Sequence, residues 1–227
     1  MVDILGQAVD NYYRRNRRKK LWIHNRYGPK EEMPVATYFR DEDDMPDLEW
    51  AALERCHGKV LDIGAGAGSH ALVLQERGID VTALEISPLA AKVMLQRGVQ
   101  KVVVTDIFNY RAGQYDTLLL LMNGIGLAGT IENLRTLLRH AKILLKPGGQ
   151  LLFDSSDVAY LYEGDMPDEE YYGEIWYQYE YDGQKTEWFK WLYIDEATLL
   201  KIAAGEGWQA EVLIEDEFGQ YLVRLNY

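Results

Sequence analysis

The sequence predicts an α/β domain, a mostly parallel sheet with helices on both of its faces. Residues 60–63, Val-Leu-Asp-Ile, read as a short strand buried on both faces; glycines follow at 64, 66 and 68, then an apolar-periodic helix ending near Arg77. From there strand-like and helix-like stretches alternate, the pattern of parallel strands joined by crossover helices. The stretch 115–122 is continuously apolar after Asp116, as a strand in the middle of such a sheet has to be.

Composition narrows the class. With 227 residues the chain suits one α/β domain with its own core and is marginal for two. A net charge of -12 argues against nucleic acid as a partner, because a polyanion is repelled. Cys56 is the only cysteine, so no internal disulfide forms, and a reducing compartment is expected. The first twenty residues hold no signal-peptide core, and the longest apolar run, 118–122, is too short to span a bilayer. The expectation is a cytoplasmic protein with no membrane segment.

Residues 1–20 place Ile4, Leu5, Ala8, Val9, Tyr12 and Tyr13 on one helical face. The predicted helix ends in Arg14, Arg15, Arg17, Arg18, Lys19 and Lys20, where cations complement the helix dipole. That run reads as a solvated face paired with the protein's own acids; the alternative is a small patch for an anionic substrate or RNA. Residues 21–50 read as irregular, broken by Gly28-Pro29, Pro34 and Pro46. Met33, Val35, Tyr38 and Phe39 are too apolar for a free linker. They suit either a lid, with Arg40 reaching a carboxylate of cofactor or substrate, or a strap over a sheet edge. A helix at 48–55 then leads into the strand at 60.

The three alternate glycines let a ligand approach the backbone at a helix N-terminus. Their spacing departs from the dinucleotide pattern G-x-G-x-x-G, and Asp62 just before them favours a cationic group over a phosphate. The next strand, 81–84, ends in Glu85, and an acid at that strand end can accept both hydroxyls of a ribose. Ile86 offers an apolar face beside it. Ser87 caps and Pro88 starts a helix that stops at Gly98. The strand 101–105 ends in Asp106-Ile107-Phe108, and the strand at 115–122 in Asn123-Gly124-Ile125-Gly126. A helix from Thr130 to Leu145 and a strand at 150–153 follow, ending in Asp154-Ser155-Ser156-Asp157; 158–170 reads as loop, with Gly164 and Pro167. Strict alternation then lapses. Residues 173–181 and 185–194, rich in Trp, Tyr and Phe, flank Asp182-Gly183 as a β-hairpin. A helix at 196–204 and strands at 209–215 and 220–225 complete the chain.

Asp62-Ile63-Gly64-Ala65-Gly66-Ala67-Gly68, with Glu85 and Asp106 at the following strand ends, resembles class I S-adenosylmethionine-dependent methyltransferases. The resemblance is close over 58–154 and looser over the last thirty-five residues. It implies a Rossmann-like, seven-stranded sheet in the order 3-2-1-4-5-7-6, with an N-terminal helical lid at 1–57 and an aromatic hairpin inserted at about 172–194 of a 58–227 domain. It implies S-adenosyl-L-methionine as cofactor, held by Asp62, Gly64, Ala65, Gly66, Gly68, Glu85, Ile86, Asp106, Ile107 and Asn123. Within that family the glycine turn holds the methionine part, Glu85 matches the ribose ligand, and Asp106 matches the acceptor from the adenine amino group. Asn123 falls beside the transferred methyl, although the two prolines of amide-nitrogen methylating relatives are missing. Asn123, Tyr38, Tyr12 and His70 are the candidates for catalytic contact. No base stands out. Asp154 and Asp157 are the only acids placed for a metal, and no metal is expected. A small-molecule acceptor is expected; monomer or homodimer stays open. A non-catalytic binding module on the same fold and an NAD-dependent oxidoreductase are the other classes weighed.

Overall fold

The computed structural model describes residues 2–16, 18–162, 167 and 170–227. Helix α1 (Ile4–Tyr13) is followed by strands β1 (Leu21–Asn25) and β2 (Glu31–Met33), a single-turn helix at Val35–Phe39 and helix α2 (Asp47–Arg55). Alternation begins with β3 (Lys59–Ile63), α3 (Ser69–Glu76), β4 (Asp80–Glu85), α4 (Pro88–Arg97), β5 (Val102–Val104) and β6 (Tyr115–Leu120). It continues through α5 (Ile131–Leu144) and β7 (Leu145–Ser156). Then come β8 (Glu174–Tyr181), β9 (Gln184–Lys185), β10 (Phe189–Leu192), α6 (Glu196–Gly205), β11 (Gln209–Glu215) and β12 (Gln220–Asn226).

The main sheet has seven strands in the order β11-β12-β7-β6-β3-β4-β5. From β7 to β5 every pairing is parallel, whereas β12 runs antiparallel to β7 and to β11. Alternate residues of the central strands feed two cores. Leu61, Ile63, Leu118 and Leu120 pack with α5 and α6 on one face; Val60, Val81, Ala83 and Leu119 pack with α2, α3 and α4 on the other. Strands buried on both faces have to be apolar at every position, which is why β3 and β6 look as they do in the sequence. Strand order reverses between β3 and its two neighbours, so a crevice opens at the carboxyl ends of β3, β4 and β6.

The segment that reads as irregular at 21–50 instead contains a β-hairpin, with Leu21 opposite Met33 and Ile23 opposite Glu31. Gly28-Pro29, which reads as a breaker, sits in its turn. Strand β1 then pairs antiparallel with β8, Ile23 lying opposite Tyr179 and Asn25 opposite Tyr177. A second sheet results, in the order β10-β8-β1-β2, with β9 paired to β8. The aromatic hairpin is therefore no isolated insertion: its first strand is the bridge between its own return strand and the N-terminal hairpin. Five residues of weak alternation at 21–25 could not announce a partner some 150 residues away. Asp182 and Gly183 do form the expected tight turn, both with positive φ (+53° and +74°).

The basic run does not close α1 as the sequence leads one to expect: the helix stops at Tyr13, and Arg15 turns left-handed at φ +63°. Three of the cations that follow pair with the protein's own acids: Arg14 with Asp10, Lys19 with Asp182, Lys20 with Glu32. Arg17 lies outside the described residues, as does most of the predicted loop beyond Tyr162, Gly164 included. Strand β7 is longer than the four residues expected, running back through Pro147-Gly148-Gly149. Among the described residues no helix is long and apolar enough to cross a membrane.

The two sheets meet where Trp191 of β10 packs directly on Gly126, in the loop after β6; a methyl group at 126 would overlap the indole. Gly126→Ala is therefore expected to destabilise the fold by about 1–3 kcal/mol through overpacking. Pairing it with Trp191→Leu should recover part of that loss. Urea denaturation of the two variants checks this, and a Gly126→Ala protein as stable as the parent contradicts the docking contact.

Candidate active site

The glycine turn has three demands in close succession that only glycine meets cheaply. Gly64, Gly66 and Gly68 have φ of +74°, +57° and +85°, each in the left-handed region. The turn is tied to the next strand by Gly64 N and Ala65 N, which both donate to the Leu84 carbonyl at 2.9 and 3.1 Å. One residue on, Glu85 Oε2 accepts from Gly66 N at 2.8 Å while Oε1 accepts from Ser87 N at 2.9 Å. A single carboxylate thus joins the β3–α3 turn to the β4–α4 turn. Glu85 is buried, and burial pushes its carboxyl above the usual range against the pull of these backbone amides. Each oxygen keeps a further lone pair for a ligand hydroxyl.

The neighbouring strand end is tied in too, because Thr105 N donates to the Glu85 carbonyl at 3.1 Å. Asp106 follows directly. Its Oδ1 accepts from Phe108 N at 2.9 Å, the local turn that is the competing reading of this acid, and Ile107 next to it is buried. Ile86 does the opposite of what an aliphatic side chain normally does: it is 67% exposed beside the buried Glu85. An exposed aliphatic face next to a strand-end carboxylate suits a heterocyclic base.

Asp62 is 2% exposed and its Oδ2 is buried with no hydrogen-bond partner. Burial pushes this carboxyl up to about 6, despite the nearby His70 and the Ala71 amide. His70 is buried within an ion pair. Its Nε2 lies 2.8 Å from Glu49 Oε2, and Glu49 is also paired with Arg40. Burial alone would lower the His70 pKa, but Glu49 and Asp62 outweigh it and raise it. Arg40, which one of the two readings of this segment sends to a carboxylate of cofactor or substrate, is paired here with Glu49. The segment ending at Arg40, α2 and α3 are thereby joined in one ionic chain.

The segment 35–39 covers the turn as a lid would. Tyr38 packs on Gly66, where a Cβ would stand 3.0 Å from its Cδ1. Its hydroxyl faces Met33 Sδ at 3.7 Å. Burial holds the Tyr38 phenol well above its normal pKa, with Tyr179, Glu85 and Tyr193 adding to the effect, so it is no base near neutral pH. Arg97 pins the segment: its Nη1 donates to Ala67 O at 2.7 Å and to Tyr38 O at 3.4 Å, and its guanidinium lies over Phe39. Tyr12 stacks on the same Phe39, with ring centroids 4.9 Å apart, so it braces the lid from α1.

Across the crevice, Met122 and Asn123 are consecutive non-glycine residues with positive φ, +62° and +53°. Such conformations cost energy and persist only when the surroundings impose them. Here the imposing group is Asp154, fully buried at the end of β7, which accepts from Asn123 N at 3.0 and 2.9 Å and from Gln220 Nε2 at 3.0 Å. The Asn123 side chain is held as well, its Oδ1 accepting from Ser156 Oγ at 3.2 Å. Burial lifts the Asp154 carboxyl to about 6. Sequence reasoning weighs Asp154 only as an acid placed for a metal that is not expected, and misses this role; the strand-end rule that singles out Glu85 and Asp106 would have found it. Glu49 and Arg97 give no such signal, since each reads as an ordinary charged residue of a helix.

The residues present fit an elongated cationic nucleoside: a glycine turn bare of side chains, a ribose-competent acid, an exposed aliphatic face and an unpartnered buried Asp62 oxygen. A family model for the methyltransferase domain matches residues 22–211. Nothing among curated proteins matches. Among solved structures, the chain is 41% identical to an S-adenosylmethionine-dependent methyltransferase from Bacteroides fragilis in complex with S-adenosyl-L-homocysteine, covering 99% of this chain and 94% of that one with a TM-score of 0.91. An S-adenosylmethionine-dependent methyltransferase from Clostridium acetobutylicum is similar at 13% identity and a TM-score of 0.59, over 81% and 93% of the two chains. The DhpI protein in its SAM–HEP complex is 18% identical with a TM-score of 0.63, over 100% of both chains. The last two likenesses speak for the fold alone.

Asp62 holds a proton in the folded chain up to about pH 6 but in the unfolded chain only up to about pH 4. Between these values the folded state binds more protons, so this group's contribution to stability falls as the pH rises. Asp62→Asn, which cannot ionise, is therefore expected to stabilise the ligand-free protein by about 1–3 kcal/mol at pH 7, with the gain vanishing near pH 4. Urea titrations at the two pH values check it; a loss of stability at pH 7 contradicts it.

Proposed function

The chain belongs to the S-adenosylmethionine-dependent methyltransferases, and on that premise we propose that it moves a methyl group to a small-molecule acceptor held between the two sheets. S-Adenosylmethionine is the cofactor, and its sulfonium supplies an electrophilic methyl group. In this reading Glu85 receives the ribose hydroxyls, Ile86 lies against the adenine, and Asp106 with the Ile107 backbone reads the adenine edge. Gly64, Ala65, Gly66 and Gly68 leave room for the methionine part, and Asp62 balances its positive charge. The observation that carries the assignment is the Glu85 carboxylate clasping Gly66 N, since it puts the ribose ligand and the glycine turn within one hydrogen bond of each other.

Methyl transfer from a sulfonium asks the protein mainly for alignment and for exclusion of water. Tyr38, held by Arg97, closes the crevice over the glycine turn, and Asn123, held by Asp154, fixes the acceptor side. Residues 1–57 act as the lid of a 58–227 catalytic domain, sharing a sheet with the segment at about 172–194.

Gly66→Val and Glu85→Ala are expected to weaken S-adenosylhomocysteine binding by roughly tenfold or more, with the far-ultraviolet circular dichroism of both proteins unchanged. The first drives a branched side chain into Tyr38 at a left-handed position, and the second removes the ribose acceptor. Isothermal calorimetry measures both, and parental affinity in the two variants removes the site assignment.

A further inference from the structure

The second sheet turns one face toward the crevice, and that face has a chemistry the cofactor does not use. Cross-strand register puts Glu31, Tyr179, Tyr177 and Trp191 on the same side of the sheet. Trp191 reaches Gly126 beyond β6, and Tyr38 reaches Gly66 beyond β3, so this side looks onto the carboxyl ends of the main strands. Tyr193 joins it, its hydroxyl 3.3 Å from that of Tyr177 and the two rings edge to face. The four tyrosine rings and Trp191 are only half-buried although they lie between two sheets, which is the signature of side chains lining a cleft.

The charged groups that act on these phenols most strongly are Glu85, Glu31 and Asp154, and none of the three is a cation. Arg97 donates to the Tyr38 carbonyl rather than to its phenol. A carboxylate or phosphate acceptor would want an arginine or lysine here. An aliphatic alcohol, too weak an acid to ionise in water, would need a general base at the moment of transfer. Burial keeps all four tyrosines protonated, and Asp154 is committed to the Asn123 amide. An amine needs neither, because once it has lost its proton its lone pair is already nucleophilic. Clustered aromatic faces with a carboxylate at the edge are a recognition device for ammonium groups.

We propose that this tyrosine-lined cleft is the acceptor site and that its substrate is an amine, admitted as the ammonium past the exposed Glu31. The ammonium proton leaves to solvent, the nitrogen lone pair forms the new N–C bond, and the C–S electron pair stays on sulfur. The proposal rests on the methyltransferase reading of the adjoining site. Tyr38, Tyr177, Tyr179 and Tyr193 select for the cation, and Glu31 adds long-range attraction at the mouth.

Two isosteric series titrated into protein saturated with S-adenosylhomocysteine test it: choline, 3,3-dimethyl-1-butanol and pivalate; and benzylamine, benzyl alcohol and benzoate. The cation is expected to bind at least about tenfold tighter than its neutral and anionic counterparts in one series or both. Glu31→Gln, on the surface and safe for folding, should erode that preference at least threefold without changing the alcohol's affinity, and Tyr177→Leu should erode it further. Equal or tighter binding of the alcohol or the anion overturns the proposal, as does no binding by either cation or an unchanged preference in Glu31→Gln. Saturation with S-adenosylhomocysteine is measured first by the same calorimetry, so failure of the cofactor reading shows there and failure of the amine reading shows only in the second titration.

Discussion

One carboxylate, that of Glu85, bonds directly to both turns that frame the crevice. It accepts from Gly66 N on one side and Ser87 N on the other, so the loop after β3 and the loop after β4 move as one piece. The carbonyl of the same residue takes Thr105 N and adds the end of β5. A buried acid with charge-assisted bonds to backbone amides is stiff, because any displacement strands a charge in a low-dielectric setting. Other contacts build on this stiffness: Tyr38 rests on Gly66, Arg97 ties the segment at 35–39 to Ala67, and Asp106 follows Thr105 by one residue.

Asp154 plays the same part on the opposite wall. There a buried acid forces two ordinary residues, Met122 and Asn123, into left-handed backbone, where glycine would have been cheaper. The two walls differ in what the acid immobilises. Glu85 fixes a turn made of glycines, which has no side chains to aim. Asp154 fixes a turn that carries an amide side chain, held in turn by Ser156. The crevice thus has one wall bare of side chains and one that carries an anchored amide.

The second sheet explains why residues 21–39 are so apolar. Met33, Val35 and Tyr179 pack with Leu21, Tyr181 and the buried face of α1, a small core separate from the two that flank the main sheet. This sheet joins the N-terminal strands to the segment after β7. Trp191 on Gly126 and Tyr38 on Gly66 are two of the footholds by which this part of the chain stands on the main sheet.

Much of this is legible in the residues themselves. The left-handed glycines at 64, 66 and 68, the strand-end acids Glu85 and Asp106, the Ser87 cap with Pro88 and the Asp182-Gly183 turn each carry a local signature, because the constraint that selects them acts within a few residues. The pairing of β1 with β8, the buried partnership of Arg40, Glu49 and His70, and the hold of Asp154 on Asn123 carry none. Each joins groups many positions apart, and each residue looks ordinary until burial removes water as its alternative partner. The sequence alone determined the family, the fold class and the kind of ligand the turn could face. Tertiary structure decided which carboxylate Arg40 would find, how the N-terminal strands would be partnered and which tyrosines share one cleft, because desolvation and strand pairing are settled between segments rather than within them.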